Sequence, residues 1–532
     1  MGTGRSDLLI PWAVALAARL AMAMFADTPT VLGDEVDYFL AARQPEGHPG
    51  LLSLAYPPLY PGLLSIGAAM GSRETGYLLS RLLNAVISST IVPLSRPLWA
   101  PSGVLGGCAV GLLPSGVITS GLLLSENLFG PVLAAWLLAA ARWGTHPSAT
   151  AAVFLGLAAS AASLTRAAGG AVVLATFVLI AGRKLSLRAA LAALGGMAPI
   201  VAYLVVRHLN PPCSFNDPLA VGHPPEIARA LTPDLADLTR GTMLEPVAAL
   251  LPWPFLFAVA WGGYWSLQYG LYVVFGTAGL AAGALDRRMR AACPARRMLT
   301  PLLLVSGASI LLAANHTLAG VQAAQFVRGR YVEPLLPLWC AFAMGSLATT
   351  ARARIPWWPA AACSLAGFVQ LTAAQNRALD FLYPIRSVVL RLPSLQGALV
   401  GGLVGLLAYL TMRAMLGTRP FRRYAMPAFV VVSLAASLLR YDRQQSDSAA
   451  RAVSARWLAI HDSAAGVEVE TQGRASDALK ACGLTWVVQQ IRFFSDNPLT
   501  LAPDVTASYS LVACGDVDGS GRPSGVRLVR RE

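Results

Sequence analysis

Charge is what this chain has least of. Only 13% of its 532 residues are charged, where a soluble domain carries about 25%, so water cannot be its main solvent. Lysine is nearly missing, with Lys184 and Lys480 the only two among 41 basic residues. The formal charge of +14 does not point to nucleic acid, because the arginines gather in short connections. These are Arg183 and Arg188; Arg287, Arg288, Arg290, Arg296 and Arg297; Arg352 and Arg354; and Arg413, Arg419, Arg422 and Arg423. Basic short loops mark the cytoplasmic side of a membrane protein. Seven cysteines show no C-x-x-C or metal-finger spacing, and six histidines show no H-x-x-H or H-E-x-x-H arrangement. A Walker A loop, a G-x-S-x-G elbow and a G-x-G-x-x-G at a strand–helix junction are also absent. Nucleotide-driven and serine-hydrolase chemistry lose support accordingly.

Apolar residues fill the gap. They make up 55% of the chain, with a mean hydropathy of +0.56, and recur in runs long enough to span a bilayer. The runs fall at 8–25, 76–93, 102–122, 127–141, 150–164, 168–181, 189–206, 264–283, 299–314, 332–350, 357–374, 396–412 and 424–440. The reading is an all-α polytopic membrane protein of about 11–13 transmembrane helices, with a transmembrane domain at 1–440. The first run lacks an A-x-A cleavage site and reads as an uncleaved helix. A cytoplasmic N-terminus puts every Arg-rich connection inside and the loops at 26–75, 207–263, 315–331 and 375–395 outside. From Tyr441 the composition turns polar, with strand-like runs at 465–471, 484–488 and 508–514. This predicts a small extracytoplasmic α/β domain over 441–532, in which Cys482 and Cys514 could pair. The Ala, Gly and Arg richness fits a GC-rich bacterial genome.

The first outer loop holds the densest acidic cluster, Asp34-Glu35-Val36-Asp37, followed by Tyr38 and Phe39. One such carboxylate would read as a helix cap or a solvated turn. Three beside a membrane surface point to chemistry, since ionisable groups at that depth cost free energy. A desolvated carboxylate can act as general base toward a hydroxyl; neighbouring carboxylates could instead share a divalent cation. Tyr56-Pro57-Pro58-Leu59-Tyr60-Pro61 is a stiff segment that opens a helix, because proline suits the first helical turn. With Asp37, its Tyr56 and Tyr60 would hold the acidic turn in place. Short interfacial helices are expected in this loop. Glu126 lies at the outer end of a helical hairpin, and Arg166 lies between two short spans on the same side. Arg328, Arg330 and Tyr331, ahead of Glu333-Pro334 and Pro337, break the inside bias for positive charge. Snorkelling accounts for such arginines; so would an anchor for phosphate, which the planar guanidinium fork suits.

In this order along the chain, the acidic pair Asp34-Glu35, Tyr56-Pro57-Pro58-Leu59-Tyr60-Pro61, Ser125-Glu126, Leu164-Thr165-Arg166, and Arg330-Tyr331 with Pro334 or Pro337 resemble the motifs of GT-C membrane glycosyltransferases. The branch of protein O-mannosyltransferases and lipid A aminoarabinose transferases is the most similar. The resemblance covers roughly residues 5 to 350. It implies a sugar donor on polyprenyl phosphate and a glycan, lipid or protein acceptor. It also implies Asp34 as principal catalytic carboxylate with Glu35 supporting it, and Glu126 as a second acidic residue. Arg330 and Tyr331 would contact the donor phosphate, with Arg328 and Arg166 as further candidates. No cofactor is fixed by these residues; a divalent cation, if present, would fall to Asp34 and Glu126. The alternative is a transporter or flippase, which should place its charges at midplane in broken helices with inverted repeats.

Overall fold

The computed structural model describes residues 6–25, 33–43, 57–182, 187–209, 294–319, 333–349, 509–514 and 526–530, and part of 424–438. The described residues are mostly helical. Helices α1 (Ser6–Phe25), α4 (Arg73–Ser89, continued by α5, Ile91–Leu94) and α9 (Glu126–Thr145) are each long and apolar enough to cross a membrane. After α6 (Arg96–Trp99), α7 (Gly103–Gly111) and α8 (Pro114–Ser120) form one apolar passage bent by 44°. Likewise α12 (Leu187–Gly196) and α13 (Ala198–Leu209) form one bent by 52°. Sequence periodicity reads 102–122 and 189–206 as single spans. The first break has a plain cause in Pro114, which has no N–H to continue the ladder. Between the bent pairs run α10 (Ala149–Thr165) and α11 (Gly170–Ala181), and α14 (Pro294–Ala319) and α15 (Leu336–Thr349) follow. The spans at 264–283, 357–374 and 396–412, the loops at 207–263 and 375–395, and most of the tail lie outside the described residues. Within the tail, β1 (Tyr509–Cys514) pairs antiparallel with β2 (Val526–Arg530). The first fulfils the expected strand near 508–514, and the second carried no sequence signal that was read. The runs at 465–471 and 484–488, and Cys482, lie outside the described residues.

The loop at 26–75 contains two short helices, as expected: α2 (Gly33–Arg43) and α3 (Leu59–Ala68). Asp34, Glu35 and Asp37 therefore sit in the first turns of a helix, where acidic residues are favoured by its dipole. Pro58 holds the N-cap position of α3, and the preceding proline stops any earlier helical turn.

α4 is turned inside out. Its helical repeat of Ser80, Arg81, Asn84 and Ser88 faces the protein interior, whereas Leu78 and Val86 face outward. A soluble helix does the reverse; lipid as the outer solvent explains the inversion. Outward-facing Leu9, Ile10, Phe154, Phe177, Leu191 and Val205 extend the same apolar wall. The main core gathers Trp99, Phe129, Trp136, Leu137, Val172 and Leu338. The N–H groups of its tryptophans are satisfied internally, among them Trp136 Nε1 by Thr176 Oγ1 at 2.9 Å and Trp99 Nε1 by the Val92 carbonyl at 2.9 Å.

Small residues let helix backbones touch. A methyl at Gly107 or Gly111 would run into Pro11 or Ala15, so α1 crosses α7 at a small-x-x-x-small stripe. On the other side of the bundle, Gly156 of α10 and Gly196 of α12 meet face to face. A Cβ on either would collide with the opposite backbone, at the Ala193 or the Val153 carbonyl, whereas a Cβ on Gly195 would meet nothing. Gly196→Leu should therefore destabilise the protein by about 1–3 kcal/mol, while Gly195→Ala should melt like wild type. Thermal unfolding of the two variants in detergent checks this; equal melting temperatures would rule out the close crossing.

Candidate active site

The turn Gly121–Ser125 joins α8 to α9 at the same end of the bundle as α2. Its three leucines, Leu122, Leu123 and Leu124, are all buried. A buried turn leaves backbone groups that water cannot reach, and each must find a partner. Three side chains supply them. Asn84 Nδ2 donates to the carbonyls of Ser120 (3.1 Å) and Leu122 (2.9 Å). Asn127 Nδ2 donates to those of Thr119 (2.8 Å), Leu122 (3.1 Å) and Leu124 (3.1 Å). Glu35 Oε1 accepts the Leu123 N–H at 2.8 Å.

Glu35 is fully buried and also accepts from the Tyr77 hydroxyl at 2.5 Å. Its carboxylate therefore fastens α2 to α4 and to the α8–α9 turn. Around it, Tyr38 meets Tyr60 edge-on at 5.1 Å, and Phe39 meets Tyr77 at 5.6 Å. These rings, with Leu40, Leu64, Ala68, Leu123 and Leu128, form a second, smaller core beneath the acidic helix. Tyr60, expected as a support of the acidic turn, lies in it and donates to Asn84 Oδ1 at 3.0 Å. Burial, then the neighbouring Tyr38 and the carboxylates of Glu35 and Glu126, push the Tyr60 phenol well above its ordinary pKa. It stays protonated and remains a donor.

From this core a chain of polar contacts leads to Glu126. Tyr38 donates from its hydroxyl to Ser125 Oγ at 3.2 Å, and Ser125 Oγ lies 3.4 Å from Glu126 Oε2. Glu126 opens the first turn of α9, where the helix dipole favours its charge. Its other oxygen pairs with Arg166 Nη1 at 2.5 Å. Arg166 holds extended backbone at the C-cap of α10, which ends that helix and turns the side chain toward α9. Thus Tyr38 of the acidic helix, Ser125, Glu126 and Arg166, separated in sequence by as many as 128 positions, form one connected group. Arg166 stands in an ion pair with Glu126. Asp34 lies one helical turn before Tyr38 on α2; the Asp34 and Asp37 side chains lie outside the described residues, as do Tyr56, Arg328, Arg330 and Tyr331. Among the described residues, no group of three or more His, Cys, Asp or Glu could hold a metal ion.

Sequence reasoning passed over Tyr77, Asn84 and Asn127, because nothing in a single sequence ties a buried amide to a turn nearly forty positions away. It also passed over Arg19. That residue was legible as the lone cation in an apolar span, the kind of residue that calls for a partner or a task.

No protein-family model matches the sequence, and no curated protein matches it. Two crystal structures of ArnT from Cupriavidus metallidurans are similar to the chain, each at 16% identity and a TM-score of 0.45. The form bound to undecaprenyl phosphate matches over 93% of this chain and 86% of its own, and the apo form over 92% and 84%.

Breaking the buried pair from one side should be costly. Glu126→Gln or Arg166→Gln alone leaves an uncompensated charge, expected to lower stability by about 3–5 kcal/mol. The double variant should recover much of that loss. A double-mutant cycle on thermal stability measures the coupling, and additive single losses would show that the two charges do not interact.

Proposed function

We infer that the protein is a membrane glycosyltransferase that moves a sugar from a polyprenyl-phosphate donor to an extracytoplasmic hydroxyl, on a glycan, lipid or protein. The observation that carries this reading is the joining of α2, which bears Asp34, to the Glu126–Arg166 pair through Tyr38 and Ser125. Glu35, Tyr60, Ser125-Glu126 and Arg166, which belong to four of the stretches that resemble GT-C motifs in sequence, lie together in the described part of the bundle and support this reading. The chain belongs, in this reading, to a bacterial plasma membrane, with its N-terminus in the cytoplasm and its C-terminal domain outside.

The reaction is a single in-line displacement at the anomeric carbon, with inversion. Asp34 accepts the proton of the acceptor hydroxyl as its oxygen forms the new glycosidic bond, a general-base role. The bond from the anomeric carbon to the phosphate oxygen breaks, and polyprenyl phosphate leaves with the electron pair. Arg330, with Arg328 and Tyr331 beside it, stabilises the charge that develops on the phosphate. Glu35 does not react in this scheme. Held by Tyr77 and the Leu123 N–H, it fixes the helix on which Asp34 sits. Glu126 is kept charged and oriented by Arg166. Were a divalent cation required, Asp34 and Glu126 are the carboxylates that would share it.

A transporter or flippase is the second reading, and the bent pairs α7–α8 and α12–α13 are what favour it, since transport sites form at broken helices. Transfer of radiolabelled sugar from a panel of polyprenyl-phosphate sugars in membranes separates the two. Asp34→Asn is expected to abolish transfer with the protein still folded. Arg330→Ala should slow it about 10²–10³-fold and weaken donor binding. Near wild-type transfer by folded Asp34→Asn protein would overturn the mechanism, and no transfer from any donor by wild type would favour transport.

A further inference from the structure

Arg19 lies two turns before the end of α1, within an apolar span, and is essentially fully buried. A guanidinium in such surroundings needs a counter-charge or a full set of acceptors. Arg19 has neither. Its Nη1 donates to the carbonyls of Gly111 (2.6 Å) and Ala15 (3.2 Å), and its Nε has no partner. Among the described residues no carboxylate pairs with it. Part of its placement is structural: Gly111 ends α7 at the break before Pro114, and Nη1 caps the carbonyl freed there. That role occupies one nitrogen of three.

Arg19 lines a pocket between α1, α8, α9 and the short helical turn at Glu333–Leu335. Gly116 leaves room for the guanidinium, since a Cβ there would sit 2.8 Å from Arg19 Nη2. Next to it, Ser115 Oγ is buried and also lacks a partner. Thr119 and Asn127 complete the polar wall, and both already bond within the protein. Two carboxylates line the same pocket, Glu126 and Glu333. Glu126 is neutralised by Arg166, and Glu333 has a partner of its own. Among the described residues, Arg19 is a cation of this pocket with no carboxylate paired to it. The cavity measures about 40 Å³, room for about three waters. A phosphoryl group fits that space; a sugar ring does not.

We propose that this pocket is a phosphoryl-oxyanion subsite, in which Arg19 and Ser115 hold phosphate oxygens of the lipid carrier. The proposal rests on the lipid-donor reading above and extends it, adding a cation that approaches the phosphate from within the first span. Arg19 supplies planar donors suited to phosphate, and Ser115 adds one hydroxyl donor. The anion in turn supplies the missing counter-charge, so ligand binding and the solvation of Arg19 are one event. The affinity should follow: a hydrogen-bonded charge pair formed away from water outweighs the same pair at a surface.

The experiment uses the full chain in lipid nanodiscs, with wild type, Arg19→Met, Ser115→Ala and Asp34→Asn compared. Binding is read by native mass spectrometry, and thermal stability with and without ligand by unfolding. The ligands are polyprenyl monophosphate, the dephosphorylated polyprenol and inorganic phosphate. Expected is a loss of monophosphate binding of tenfold or more in Arg19→Met and a smaller loss in Ser115→Ala. Asp34→Asn should bind as wild type does, and polyprenol should bind no variant differently. Without ligand, Arg19→Met should melt lower than wild type, because the Gly111 carbonyl loses its cap; the deciding readout is therefore the monophosphate affinity of the folded fraction, which a purely structural arginine would leave intact. Binding of inorganic phosphate but not of the lipid, lost in Arg19→Met, would keep the oxyanion site and overturn the lipid-donor reading. Sugar transfer by wild type together with unchanged monophosphate binding in Arg19→Met and Ser115→Ala would overturn this proposal alone.

Discussion

Everything at the Glu126 end of the bundle depends on how the buried turn between α8 and α9 satisfies its peptide groups. In a bilayer no water can hydrogen-bond to exposed carbonyls, and each one left bare costs several kcal/mol. The chain solves this with two asparagines and one glutamate drawn from α4, α9 and α2. Those three side chains serve the turn and in doing so set the positions of three helices relative to one another. Ser125 and Glu126 follow directly from the turn, and Tyr38 reaches them from the helix that Glu35 pins. Positioning and hydrogen-bond satisfaction are thus the same set of contacts.

This arrangement also explains the unusual polarity of α4. Tyr77, Asn84 and their neighbours face inward because their partners are there, and the hydrophobic effect does not oppose them, since lipid is as apolar as the core. Polar contacts rather than apolar contrast give the interior its specificity. The aromatic pairs between α2, α3 and α4 then close the small outer core, the one place where an ordinary hydrophobic cluster lies beside the acidic residues.

The transmembrane character, the helices of the loop at 26–75 and the placement of Glu126 and Arg166 on the same side were legible in the sequence. Apolar run length and loop composition are local properties, and a single chain displays them. The pairing of Glu126 with Arg166 was not legible, because an arginine at a helix end reads equally as a snorkelling residue. Nor was the burial of Glu35: three adjacent acidic residues look alike in sequence, and only the helical twist sends one inward to Tyr77. The break at Pro114 could have been read from the proline itself. The break after Gly196 carries the same kind of marker in Pro199, the second residue of α13, which has no N–H to continue the ladder.

That second break shows how a gap in a helix can be made stiff. Ser160, one turn from the Gly156–Gly196 contact, donates to the Gly196 carbonyl at 3.3 Å and accepts the Ile200 N–H at 3.4 Å. A hydroxyl from the neighbouring helix thus bridges the two sides of the bend. The result is a corner rather than a hinge, with Leu191 and Leu194 facing out on one arm and Val201 and Val205 on the other. Acyl chains that pack along this wall would meet a profile angled by 52°, not the straight face of a single span.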